Sequence, residues 1–161
     1  RSGEVFAAQW IGSLEQLEST LSGEGRKAQP VWRWQDAFSY LDTKAPLDRL
    51  PPRPVLHQGL KAKLTMARDE AGKANRRLVL RAFKAHVDVT AEGKSAHVYL
   101  ISITEEVPSS RFKLYAIPAT LTADSESWTT ALADLAATPG VMVLAETKDP
   151  QKPLKVLLAK P

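Results

Sequence analysis

Leu60-Lys-Ala-Lys-Leu-Thr-Met66, Arg77-Leu-Val-Leu-Arg-Ala-Phe83 and Ser95-Ala-His-Val-Tyr-Leu-Ile-Ser-Ile103 are three strand-like runs joined by short polar connections, and they decide the fold. In the first, Leu60, Ala62, Leu64 and Met66 alternate with Lys61, Lys63 and Thr65, the period-two pattern of a strand with one buried face. The other two carry apolar residues on both faces, as strands deeper in a sheet do. The second continues through Ala85, Val87 and Val89, and Thr90-Ala-Glu-Gly-Lys94 turns it into the third, so the pair is expected to be an antiparallel hairpin. Asp69 to Asn75, polar and containing Gly72, makes the connection before it.

Working outward, Glu4 to Ile11 reads as a first strand closed by Gly12. Ser13 with Gln16 forms a capping box, Leu14, Leu17 and Leu21 fall on one helical face, and Gly23 and Gly25 are stop signals. Trp34, Ala37, Phe38 and Leu41 have the spacing of an apolar helical stripe ending near Asp42. Thr43 to Gln58 holds Pro46, Pro51, Pro52 and Pro54, which lack the N–H that ladders and helices need, so it is expected to be an extended loop wrapping the core. Phe112 to Pro118 reads as a short edge strand. Asp124 to Ser127 starts a last helix with Trp128, Ala131, Leu132 and Leu135 inward, ended by Pro139-Gly140. Val141–Ala145 and Lys155–Leu158 flank a turn at Lys148-Asp-Pro150 and suggest a terminal hairpin. The fold class is α+β: a mostly antiparallel sheet of about six to seven strands with two to three short helices packed on it.

Composition bounds the rest. A chain of 161 residues, 43% hydrophobic and 25% charged, is globular and long enough for one domain, taken as residues 1–161. The absence of cysteine excludes disulfides, thiol nucleophiles and Cys-ligated zinc. No apolar run approaches the roughly 20 residues of a spanning helix, and no signal-peptide pattern opens the chain. It starts at Arg1 without an initiator Met and enters strand-like sequence by Val5, so a segment of a longer protein is expected. The net charge of +4 is concentrated: residues 53–94 carry ten basic against four acidic side chains, whereas each end is slightly acidic.

The residues that could carry chemistry are few. His86 and His97 could meet across the hairpin, yet no carboxylate at metal-ligand spacing joins them, and partly exposed strand histidines are expected. Glu105 and Glu106 are adjacent on a strand and point to opposite faces, so a solvated strand end is expected rather than an acid/base pair. No nucleophile elbow, P-loop or dinucleotide fingerprint exists. Core packing is expected for Trp10, Trp34 and Trp128, while Trp32, beside Arg33, suits an aromatic binding platform equally well. The candidate binding residues are therefore Trp32, Arg53, His57, Lys61, Lys63, Arg81 and Lys84. No catalytic residue, metal ligand or cofactor is assigned. A positive surface of this kind needs only anionic lipid nearby to act, whereas a single-stranded nucleic-acid binder would want aromatics beside its cations, and Phe83 is the main one available. A small hydrolase using His57 with a carboxylate supplied by the fold is a further alternative.

The order of features resembles the LssY-type C-terminal domain of bacterial membrane proteins that carry DedA-like and phosphatidic-acid-phosphatase-like regions. The matching residues are Gln9-Trp-Ile-Gly12 with Leu14, Leu17, Leu21 and Gly25; Trp34 through Leu41; Leu50-Pro-Pro-Arg-Pro-Val-Leu-His-Gln-Gly59; and Arg77-Leu-Val-Leu-Arg-Ala-Phe83 with Val98–Glu105. The resemblance implies a domain tethered at a bacterial inner membrane, with the transmembrane part of the same polypeptide as its partner; the basic centre adds an anionic phospholipid surface as a second expected partner. The resemblance also implies that lipid-phosphate chemistry lies outside this segment, and it supplies no functional residues.

Overall fold

Fourteen residues of β7 (Lys94–Val107) form the strand around which the main sheet is laid. The computed structural model describes residues 6–22, 26–70, 75–91, 93–111, 114–122, 125–147 and 155–159. Antiparallel to β7 on one side runs β6 (Arg77–Ala91), followed by β5 (Leu64–Asp69) and the two-residue β2 (Lys27–Ala28). On the other side lies β1 (Phe6–Ile11), then β12 (Lys155–Ala159) and β11 (Val141–Glu146) at the edge; β10 (Ala119–Thr122) also pairs with β7. The sheet thus has eight strands, all antiparallel except for the β1–β12 pair. The α+β expectation holds, and β11–β12 is the expected antiparallel terminal pair.

The two faces of the sheet are built differently. One face packs against α1 (Leu14–Ser22) and α2 (Ser125–Ala137), where Leu17, Leu21, Ala131, Leu132 and Leu135 meet Leu78, Leu80, Ile101 and Ile103 in the main apolar core. Each fully buried leucine or isoleucine there contributes roughly 1.5–3 kcal/mol. The capping box forms as expected: the Gln16 N–H donates to Ser13 Oγ and the Ser13 N–H to Gln16 Oε1. Gly12 lets β1 turn into α1, since a Cβ at that residue would lie 2.9 Å from Ala159 Cβ, and its positive φ suits no L side chain.

The opposite face is covered by the proline-rich segment. A 3-10 helix at Trp34–Leu41 precedes it, a 3-10 turn at Leu47–Arg49 lies within it, and it leads into the hairpin of β3 (Leu56–His57) and β4 (Leu60–Lys61). Gln58 and Gly59, both at positive φ, make the two-residue turn of that hairpin. The run read as one strand over Leu60–Met66 is therefore two pieces: Leu60 and Lys61 pair with β3, and the sheet strand starts at Leu64. Likewise, the strand expected over Phe112–Pro118 is replaced by a small hairpin of β8 (Ser110–Arg111) with β9 (Tyr115–Ala116), after which β10 rejoins the sheet. Phe112, Gly23, Gly25, Gly72, Asp124, the Lys148–Pro150 turn and the Trp128 side chain lie outside the described residues.

The second helix was expected to bury Trp34, Ala37, Phe38 and Leu41; instead Trp34, Phe38 and Leu41 are 68%, 61% and 62% exposed, and Tyr40 is the buried residue. The period accounts for Phe38 and Leu41, which leave the row of buried Tyr40, whereas Trp34 keeps to that row and is exposed at its start. In an α-helix those four share a face, but at three residues per turn they split into a Trp34/Ala37/Tyr40 row and a Phe38/Leu41 row, leaving Asp36 and Ser39 on the third. Tyr40 anchors the turn by donating its hydroxyl toward the Pro51 carbonyl at 3.2 Å, and burial raises its pKa.

Candidate functional site: a basic cleft beside an exposed aromatic turn

Beneath the proline-rich segment the sheet face is polar and charged. Arg77 and Glu106 are direct cross-strand partners, and Arg81 lies two strand periods further along the same face of β6. Glu106, with no exposed surface, accepts from Arg77 Nη2 at 2.7 Å, Arg81 Nη2 at 2.7 Å and the Arg53 N–H at 3.0 Å. Arg77 also donates to the Leu47 and Leu50 carbonyls, and Arg81 to the Arg53 carbonyl and Thr104 Oγ1. Every one of these bonds but that to Thr104 and those within the ion pairs ties residues 47–53 to the sheet, so the cluster is a clamp on the proline-rich wall. Such a buried ion cluster holds only while complete, because a lone buried charge costs several kcal/mol.

The clamp corrects three expectations. Glu105 and Glu106 are no solvated strand end: both are buried, Glu105 accepting from Arg76 Nη1 at 2.6 Å. Arg81, placed among the surface cations, is 1% exposed with its guanidinium committed to Glu106, Thr104 and Arg53. Of the ten cations counted between 53 and 94, Arg68, Arg76, Arg77 and Arg81 are held in ion pairs with Asp134, Glu105 and Glu106. Burial lowers the pKa of Arg26 to about 10; the neighbouring Arg68 adds to the effect and Asp134 opposes it.

Outside the clamp lies a cleft of about 800 Å³ between residues 28–39, the proline-rich wall and residues 61–65, where β4 passes into β5. Trp32, Arg53, Lys61, Lys63 and Arg81, five of the seven candidate binding residues, line it together with Arg49. Among the described residues none of Arg49, Arg53, Lys61 and Lys63 is held in an ion pair. Glu18, Asp36 and Asp48 also line the cleft, and Asp36 already accepts the Arg33 N–H at 2.6 Å. Exposed Val31 and Leu56 belong to the lining, and the 3-10 helix whose Asp36 and Ser39 face the cleft carries the exposed Trp34–Phe38 pair, ring centroids 5.9 Å apart.

The structure does not bring His57 and Lys84 into this cleft. The His57 ring stands edge-on to Phe6 at 4.7 Å and to Phe83 at 5.7 Å, and among the described residues no carboxylate hydrogen-bonds to it. Lys84 lies beside a smaller hollow with Leu60, Lys63, His86 and Asp88, where β6 carries extra residues between the Lys84–Tyr99 and Asp88–His97 pairs. His97 meets Asp88, not His86, at 2.8 Å, and that bond lowers the Asp88 pKa. Among the described residues no group of three or more histidine or carboxylate side chains could hold a metal ion, and no helix is long and apolar enough to cross a membrane.

Trp34, expected in the core, and Phe38 and Leu41, expected on the same apolar helical stripe, are all placed outside. Their one signal is a stripe of eight residues, too short to distinguish a period of 3.6 from one of 3.0. Fold and site together define an α+β domain with a cation-rimmed cleft and an exposed aromatic turn. No family model matches the chain, and neither the curated proteins nor the solved structures contain a match to it.

Proposed function

We propose that this domain is a non-catalytic accessory module that docks on an anionic phospholipid surface and thereby positions the membrane part of its own polypeptide, in the manner an LssY-like C-terminal domain would. One observation carries the proposal: an apolar turn with Trp34, Phe38 and Leu41 largely exposed stands in a stretch, residues 26–63, that holds eight basic side chains against three acidic ones. A tryptophan with a polar indole N–H and an apolar body is suited to the boundary between headgroups and acyl chains. Each cation near an anionic surface adds about 1 kcal/mol, and each large apolar side chain, once buried, roughly 1.5–3 kcal/mol. Together these reach the scale of reversible peripheral binding. The aliphatic neighbours Val31 and Leu56 favour insertion among acyl chains over stacking on nucleobases.

Co-sedimentation with vesicles of phosphatidylglycerol and phosphatidylcholine, against phosphatidylcholine alone, tests this at low and high salt. The expected result is capture by the anionic vesicles that weakens as salt screens the cations. Binding indifferent to both lipid charge and salt overturns it, and so does displacement from vesicles by an equimolar single-stranded oligonucleotide.

A further inference from the structure

Surface docking makes no use of the depth of the cleft. Its volume of about 800 Å³ falls in the range of sites that enclose a small molecule. Val31, Trp32, Pro52 and Leu64 contribute apolar lining, and Arg53, Lys61 and Lys63 contribute cations without an ionic partner among the described residues. The wall is already in place: the Glu106 clamp fixes Leu47, Leu50 and Arg53 by their backbone, so a ligand does not have to order it. An interior that is apolar with cations among its lining fits a molecule that is itself divided into an apolar and an anionic part.

We propose that the cleft binds one anionic amphiphile, a single acyl or alkyl chain ending in a phosphate or carboxylate. The chain lies against Val31, Trp32, Pro52 and Leu64, and the head is met by Arg53, Lys61 and Lys63. This goes beyond docking on a bilayer and can fail separately from it.

Isothermal titration calorimetry with dodecyl phosphate below its micellar concentration reads the site directly. Saturable binding of one molecule per chain is expected. Inorganic phosphate, which lacks the chain, should bind more than about tenfold more weakly, because each buried methylene contributes about 0.8 kcal/mol. Dodecyltrimethylammonium, with the same chain and the opposite charge, should show no saturable binding. Dodecanoate then distinguishes the two heads: binding of either supports the proposal, and the tighter one names the head. Ala62→Trp places a large ring in the cleft without removing a cation, and Ala28→Trp does the same from an exposed residue outside the docking surface should the first variant fail to fold. Either should abolish dodecyl phosphate binding while leaving vesicle capture through Trp34 and Phe38 intact. Conversely, Trp34→Ala/Phe38→Ala should lose vesicles and keep dodecyl phosphate. No saturable binding to the native chain, undiminished binding by a folded cleft-filling variant, or equal binding of the cationic amphiphile overturns the proposal.

Discussion

Two neighbouring groups of charges, on the same side of the sheet and drawn from adjacent stretches of chain, do opposite work. Arg77, Arg81 and Glu106 are withdrawn from water and spend their hydrogen bonds holding the proline-rich wall. Arg49, Arg53, Lys61 and Lys63 stand around the cleft that this wall encloses, with no ionic partner among the described residues. The difference lies in where each residue sits relative to the covering segment, not in residue type. Beneath it a guanidinium must be paired; beside it a cation stays solvated and available to an anion from outside. Positive charge in a sequence is therefore two quantities here, structural and functional, and only their sum is visible in the net charge.

The largest expected effect breaks that contrast from the buried side. Glu106→Ala strands two guanidinium groups without their carboxylate and should cost roughly 3–5 kcal/mol in denaturant unfolding. Lys61→Ala and Lys63→Ala should each stay within about 0.5 kcal/mol of the native chain. Comparable losses at all three positions would mean the two groups are not distinct. Next in size, Trp34→Ala/Phe38→Ala should weaken capture by anionic vesicles at least about tenfold, as the loss of two interfacial side chains requires, while the unfolding midpoint stays near native because both side chains are already exposed. An unfolding midpoint that falls sharply would return these rings to the core. Lys63→Ala should reduce vesicle affinity about fivefold, corresponding to about 1 kcal/mol for one surface cation, and the loss should vanish at high salt. The smallest effect concerns the exposed Asp88–His97 pair. Since the hydrogen bond from His97 lowers the Asp88 pKa, the pair's contribution is present at neutral pH and fades as pH falls through the Asp88 titration. Carboxyl NMR should place that midpoint below the usual value of about 3.9, and His97→Ala should raise it. A midpoint that does not move would remove the coupling.

Hydrophobic alternation made the central hairpin legible, and helix spacing made α1 and the inward residues of α2 legible, because those elements bury one face in the ordinary way. Register was harder. Counting back from the Ala91–Lys94 pair sets Pro108 opposite Arg77; extra residues of β6 between Lys84 and Asp88 slide the ladder by two, and Glu106 arrives there instead. Because the slide is an even number, every side chain keeps its face, so no apolar pattern betrays it. The parallel β1–β12 pair is equally silent in sequence, since it joins segments from the two ends of the chain.

By itself, then, the amino-acid order determined the α+β class, the strands around Arg77–Ile103, the capped first helix and the presence of excess positive charge in the middle of the chain. It also brought five of the residues around the cleft to notice, as exposed-looking cations and a tryptophan beside Arg33. Only the tertiary structure decided which cations are buried and which face out, and that the aromatic turn winds at three residues per turn with Phe38 and Leu41 outward. The physical reason is range. Periodicity within a few residues sets local structure, whereas the pairing of a buried charge and the covering of a sheet face depend on contacts between segments tens of residues apart, such as Arg53 with Glu106.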